Sequence, residues 1–389
     1  MWETFFDKEL NSLEENGLLR QLNALPETGG NIVLNGRSIL NFSSNDYLGL
    51  ANDLRLKDAA VGAIEKYGNG ATASRLLAGH LELHDRLEEA LARMMDTEST
   101  LVFGSGFLTN VGIISAIAGP EDEIFSDWLN HASIIDGIRL SHARIYRYKH
   151  KDLDHLESLL KKRKKTGKAI VISESLFSMD GDIAPVKDLV ALASRYDTLS
   201  IIDEAHAIGV MGKNGGGVCR TIGSTCRPDI IVGTLSKALG GYGGFVASSN
   251  SIRRFLINRA RTFIYSTGLP PACLGSGLAA VSIVLSHSTL GKKLLDKAGK
   301  FHNLLSAVGL RVPGFESQII PVIIGSNKKT IAFTNLLVEH GLLIRPVRPP
   351  TVPIGTARVR LNVTLSMPDR SLKKAAGIIT DCARELDII

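Results

Sequence analysis

From about residue 54 to 285 the chain alternates between two spacings of apolar residues. Runs with helical spacing lie near 54–66, 82–95, 106–118, 132–141, 152–163, 186–196, 250–260 and 271–285. Short β-branched or apolar runs lie between them, at 100–103, 123–125, 144–146, 169–172, 199–202, 230–232 and 244–247. Strand–helix alternation of this kind predicts an α/β fold, with a mostly parallel central sheet covered by helices on both faces. Ligands of such sheets sit beyond the carboxyl ends of the strands.

The two ends of the chain read differently. Trp2, Phe5, Phe6, Leu10 and Leu13 recur at helical spacing, so 2–19 predicts an amphipathic helix closing at Gly17. An apolar run split by Asn35-Gly36 predicts a hairpin over 31–37. Residues 41–50 are rich in side chains that bond their own backbone and read as a structured loop. After 285 come a helical run to about 308, a strand-like run at 317–324, a helix near 328–340, a strand at 357–363 and a last helix over 367–385. The expected organisation is an entry segment (1–50), a large α/β domain (51–285) and a smaller C-terminal α+β domain (286–389).

Composition narrows the function classes. The 389 residues are 44% hydrophobic and 22% charged, ordinary for a soluble globular protein. A net charge of +6 is mild for this length and argues for no nucleic-acid partner. The densest basic run, Lys161 to Lys165, closes a helical pattern where cations suit the dipole. Its sharper reading is a docking patch for an acidic carrier protein or a phosphate-bearing substrate. The four cysteines show no metal-ligand spacing and no CxxC, so no metal is expected. With no signal-peptide pattern at the N-terminus and no run of membrane-spanning length, a cytoplasmic protein is expected. The apolar stretch 272–285 is too short to span and reads as a buried helix.

Candidate chemistry clusters at strand ends. Lys237 follows the run 229–232, among small and apolar neighbours that would desolvate its amine and make it nucleophilic, as a bond to a cofactor aldehyde requires. Asp203 ends an apolar strand, where a buried carboxylate needs a cation or donors. His206 would reach the same ligand if the strand breaks at Ala205. Gly104-Ser105-Gly106-Phe107 follows a strand and opens a helix, which suits an anion such as phosphate. His131 begins another helix, as a cap or as a ring lying over a flat cofactor. The loop 173–182, with Ser178, is explained by turn chemistry alone. Strict alternation puts Arg358, Arg360 and Asn362 on one strand face, as a carboxylate clamp or as a solvated edge.

Together, the stretches 41–50, 74–79, 130–133, 177–182, 203–206 and 234–240 resemble the α-oxoamine synthase family of pyridoxal-phosphate enzymes. The resemblance implies the fold type I of pyridoxal-phosphate transferases, and a homodimer with its active site at the subunit interface. It implies that Lys237 holds the cofactor aldehyde, Asp203 faces the pyridine nitrogen, His206 bonds the phenolic oxygen and His131 stacks on the ring. Gly106, Phe107, Ser178 and Thr234 would add cofactor contacts, with Ser266 and Thr267 reaching in from the partner. Arg20, Asn45, His131, Thr351 and Arg360 match substrate-contacting positions, though periodicity does not separate Arg360 from Arg358. Ala71, Ala73, Ala207 and Ile208 depart from the usual pattern and bear on the shape of the substrate pocket.

Within that family, 348–353 with 355–358 looks most like the branch that condenses L-alanine with a pimeloyl thioester in biotin synthesis. The acyl donor would arrive on coenzyme A or on an acyl carrier protein. The alternatives are a sister reaction of glycine with acetyl-CoA, an aminotransferase or desulfurase of the same fold, and a non-enzymatic basic binding protein.

Overall fold

The computed structural model describes residues 2–34, 36–164, 167–223 and 226–389. Asn35 of the predicted hairpin turn and Lys165 of the basic run lie outside the described residues. The strands, in chain order, are β1 (Asn31–Leu34), β2 (Arg37–Asn41), β3 (Ser99–Phe103), β4 (Glu123–Asp127), β5 (Arg144–Tyr148), β6 (Ala169–Glu174) and β7 (Leu199–Asp203). They continue with β8 (Ile230–Thr234), β9 (Gly244–Ser248), β10 (Ile319–Gly325), β11 (Leu342–Leu343), β12 (Pro346–Val347) and β13 (Ala357–Asn362). The chain divides into two compact units, one of residues 50–178 and 182–292, the other of 1–49, 179–181 and 293–389.

The larger unit is built on a seven-stranded sheet in the order β3-β9-β8-β7-β6-β4-β5. The pairs β4–β5, β4–β6, β6–β7 and β7–β8 are parallel, and β9 is antiparallel to both neighbours. Strands β3, β4, β6, β7, β8 and β9 are buried along their length except for half-buried Leu199, because helices cover both faces; β5, at the edge, is largely exposed. Their apolar side chains (Leu101, Ile124, Ile170, Ile201, Ile230 and Val246) join Ile113 and Ile114 of the helix Gly106–Ile117 in one core. Burial of each such side chain stabilises by about 1.5–3 kcal/mol. The stretch at 271–285 is the helix Pro271–Ser286, with Leu274, Val281 and Ile283 buried. No single helix among the described residues is long and apolar enough to cross a membrane.

The smaller unit holds two three-stranded sheets, β1-β2-β11 and β10-β13-β12. β1 and β2 pair antiparallel with Leu34 opposite Arg37. The helix Asp369–Glu385 closes the chain. The N-terminal helix is Trp2–Glu15, and its Trp2, Phe5, Phe6, Leu10 and Leu13 are all exposed.

β13 corrects one expectation. It is the central strand of its sheet, so the face carrying Arg358, Arg360 and Asn362 is not a solvated edge: Arg358 and Asn362 are buried and Arg360 is half-buried.

Candidate active site

The larger unit gathers its functional side chains just beyond the carboxyl ends of β3, β4, β6, β7 and β8. After β3, Ser105 caps the helix Gly106–Ile117 by accepting from Leu108 N at 3.2 Å. The first-turn amides of Gly106 and Phe107 have no carbonyl behind them in the helix, so their donors lie at the positive end of the dipole, where an anion is favoured. Gly106 packs against Thr234 of β8: a Cβ at Gly106 would lie 3.6 Å from Thr234 Oγ1. Gly244 makes the approach possible, because a Cβ there would stand 2.6 Å from Gly106 N and 2.4 Å from Thr109 Oγ1. Thr234 Oγ1 lies 2.6 Å from Ser236 Oγ and donates to Gly243 O at 2.8 Å.

β7 ends at Asp203, which is buried. Its two oxygens accept from Ala205 N (2.9 Å) and Asn110 Nδ2 (2.7 Å). The strand ends at Asp203, which meets the condition set for His206, and the turn that follows carries that residue, buried. The next carboxylate, Glu204, plays a different part. Buried beneath the turn, it accepts from Ser175 Oγ (2.6 Å), Val218 N (3.0 Å) and Cys219 N (2.6 Å), which fixes the loop after His206. Ala207 and Ile208 are buried in the same turn.

His131 caps the helix Ala132–Ser141, its Nδ1 accepting from Ser133 N at 3.2 Å. The same nitrogen lies 2.8 Å from Ser133 Oγ, and Ser133 Oγ accepts from Asn110 Nδ2 at 3.0 Å. One amide therefore joins Asp203 to His131. His131 N donates to Glu174 Oε1 at 2.6 Å, and Glu174 N donates to Asn130 Oδ1 at 3.0 Å.

Electrostatics bind the same residues together. Burial and the charge of Lys237 hold the His131 imidazolium acidic, against the opposing pull of Asp203. Burial and the neighbouring charge of Asp203 push the Glu174 carboxyl up to about 8, while Lys237 works in the other direction. Lys237 and Asp203 thus both act on His131 and on Glu174. Lys237 is half-buried in the turn after β8, its carbonyl accepting from Gly240 N at 2.9 Å. Gly240 has φ +63°, and a Cβ there would meet Leu50 and Ala51 backbone at 2.5–2.7 Å.

Ser178 is buried in the loop after β6. That loop is pinned by His150, whose ring bridges Asp127 Oδ1 (2.9 Å) and Asp182 Oδ2 (2.8 Å). Ser266 and Thr267 follow the short helix Arg261–Ile264. Thr267 pairs with Ser74, and both 266 and 267 line a small cleft with Gly104 and Arg75.

In the smaller unit, Arg360 donates to Asn45 Oδ1 at 2.8 Å, and Asn362 Nδ2 reaches the same oxygen at 3.1 Å. Arg358 is committed elsewhere: it pairs with the Asp180 carboxylate and donates to Thr356 O at 3.0 Å. The contacts separate the two arginines that periodicity left together. Arg20 lies 3.5 Å from Pro349 O, two residues before Thr351. Arg20, Arg345 and Arg348 line a cleft of about 920 Å³ in this unit.

Reading the sequence singled out neither Asn110, Ser133 nor Glu174. Glu174 had one usable signal, a carboxylate closing an apolar strand, the pattern that marked Asp203. Asn110 and Ser133 had none, because their roles depend on two helices meeting in space.

A pyridoxal phosphate group fits these residues. The helix N-terminus at Gly106 suits its phosphate, Asp203 presents a buried carboxylate held by neutral donors, and Lys237 brings an amine into the same cluster.

Comparison with known proteins agrees. A profile of the aminotransferase class I and II family matches residues 37–379. The chain is 44% identical over 384 residues to a Geobacter sulfurreducens protein named 8-amino-7-oxononanoate synthase, covering 98% of each. A Citrifermentans bemidjiense protein of the same name is 42% identical, with 99% of each covered. Among solved structures, serine palmitoyltransferase from S. paucimobilis, carrying a pyridoxal-phosphate adduct of myriocin, superposes with a TM-score of 0.93 at 28% identity, covering 99% of this chain and 98% of that one. An 8-amino-7-oxononanoate synthase from Francisella tularensis superposes with a TM-score of 0.77 at 30% identity, covering 89% and 98%. The chain belongs to the aminotransferase class I and II family, among its α-oxoamine synthases.

Proposed function

We propose that this protein is a pyridoxal-phosphate-dependent acyltransferase that condenses L-alanine with a pimeloyl thioester. The products are 8-amino-7-oxononanoate, carbon dioxide and free thiol, a step of biotin biosynthesis. The observation that carries the reading is the hydrogen-bonded cluster at the carboxyl edge of the sheet, where Asn110 and Ser133 join Asp203 to His131 and the charge of Lys237 bears on His131 and Glu174, in a chain whose full-length relatives bear that name.

When bound, the cofactor supplies an electron sink for the α-carbon of the amino acid. The rest falls to the chain. Asp203, buried and held by the donors of Asn110 and Ala205, would face the ring nitrogen and favour a proton there. The Lys237 amine would hold the aldehyde and, when free, would serve as general base for the α-proton. His206 donates to the ring oxygen. Ser178, Thr234 and the Gly106–Phe107 amides hold the remainder of the cofactor. His131 covers the ring face and excludes water there. Arg360, set by Asn45, binds the amino acid carboxylate; Arg20 and Thr351 contact the acyl substrate. Ser266 and Thr267 serve the active site of a second subunit in a homodimer. The protein acts in the cytoplasm, and its thiol carrier is coenzyme A or an acyl carrier protein.

The test is release of carbon dioxide from L-alanine, glycine and L-serine with pimeloyl, acetyl and palmitoyl thioesters. Alanine with the pimeloyl donor should be turned over best. Preference for glycine with the acetyl donor would move the assignment to the sister reaction.

A further inference from the structure

The shared amide of Asn110 carries a consequence for His131. Asn110 is buried in the helix Gly106–Ile117. Its Nδ2 has two hydrogens and both are used: one goes to Asp203 Oδ2 at 2.7 Å, the other to Ser133 Oγ at 3.0 Å. The carboxylate accepts only, so it fixes which way the amide faces. The cost is visible on the other side, where Asn110 Oδ1 is buried with no donor among the described residues. An orphaned buried acceptor costs on the order of 1–3 kcal/mol. An apolar side chain would avoid that cost but would leave Asp203 and Ser133 each short of a donor.

The chain of donors then runs in one direction. Ser133 Oγ accepts from Asn110, so its own hydrogen is available to His131 Nδ1, 2.8 Å away. Ser133 N points at the same nitrogen from 3.2 Å. A ring nitrogen that receives two hydrogens carries none of its own.

We propose that Asn110, acting through Ser133, is a positioning residue that holds His131 with its proton on Nε2 while it orients the Asp203 carboxylate. His131 can then donate a hydrogen bond from Nε2 to an oxygen of the bound substrate. It cannot serve as the base for the α-proton, which leaves that task to Lys237. The charged and titratable groups that bear on this imidazole are Asp203, Lys237, Asp136 and Glu174, and the burial that disfavours its cationic form acts in the same sense as Lys237. The inference rests on the proposed function, because it assigns His131 to the face of a bound cofactor.

The experiment is nitrogen NMR of the holoenzyme grown on isotope-labelled histidine, with the His131 signals assigned by loss in His131→Asn. The wild type should show an unprotonated Nδ1 and a protonated Nε2 at neutral pH. Asn110→Ala and Ser133→Ala should each shift the signals toward a mixture of the two tautomers, and Ser133→Thr should restore the wild-type pattern. In kinetics, Ser133→Ala should lower kcat by about tenfold, the equivalent of one hydrogen bond, with a smaller change in KM for alanine. A wild-type His131 with its proton on Nδ1 would overturn the inference, and that reading needs no variant to fold. Unchanged tautomer and kinetics in both alanine variants would overturn it as well. A protein that takes up no pyridoxal phosphate at all would instead remove the functional reading on which this one stands.

Discussion

Glu174 and Asp203 stand directly opposite each other, in register, as the last residues of the parallel strands β6 and β7. Two carboxyl groups so placed, both buried, do not ionise together at neutral pH. Asp203 has two hydrogen-bond donors aimed at it, and Glu174 is pushed up to about 8 by burial and by Asp203. Of the two, Glu174 is the one that stays protonated at neutral pH, and it accepts from the His131 amide.

That arrangement fixes the sign of a pH effect. The folded Glu174 carboxyl holds its proton more tightly than the unfolded one, so its contribution to stability is complete below the ordinary value of 4.5. It is lost as pH rises through about 8. Glu174→Gln keeps an acceptor for His131 N and removes the ionisation. Denaturant unfolding of the apoprotein from pH 5 to 9 should show the variant gaining on the wild type with rising pH. Parallel curves would show that Glu174 does not titrate in that window.

His150 titrates in the opposite chemical sense with the same outcome for stability. Burial by itself would lower its pKa, but the hydrogen bonds its ring donates to Asp127 and Asp182, with their charges, outweigh burial and raise it from 6.5 to about 9. Its stabilising contribution is fully present below 6.5 and is lost as pH rises through about 9. His150→Asn should remove this part of the pH dependence. It should also loosen the loop carrying Ser178, which hydrogen exchange across 175–184 would report as faster exchange in the variant at pH 7. Unchanged protection there would mean that the bridge does not hold the loop.

The two arginines of β13 should separate by experiment as they do in contact. Arg358→Ala leaves the Asp180 carboxylate unpaired, and because Asp180 is partly exposed the cost should be about 2 kcal/mol of stability, with KM for alanine little changed. Arg360→Ala removes the proposed carboxylate ligand and should raise KM for alanine roughly ten- to a hundredfold, the worth of a charge-assisted hydrogen-bonded pair. Urea unfolding beside steady-state kinetics reads both. The reverse assignment of effects would exchange the two roles.

Much of this was legible in the sequence because its physics is local. Period-3.6 and period-2 patterns located the helices and strands of the large sheet. A carboxylate closing an apolar strand, a glycine-rich strand-to-helix turn and a lysine among small neighbours marked Asp203, Gly106 and Lys237 as candidates for the proposed site. What escaped depends on neighbours distant in the chain. Arg358 and Arg360 share a strand face, and only Asp180 and Asn45, some 180 and 315 positions away, tell them apart. The solvated-edge reading of that face failed because alternation cannot show that β13 lies between β10 and β12. Asn110 looked like any polar residue on an apolar helix until two other segments brought Asp203 and Ser133 to its amide.

The claim on which the account turns is that the Lys237 amine carries the cofactor aldehyde. Borohydride reduction of the purified holoenzyme, followed by proteolysis and mass mapping, tests it directly. The pyridoxyl group should be found on Lys237, and Lys237→Ala should fold but retain no label. Label on a different lysine, or turnover persisting in Lys237→Ala, would contradict it.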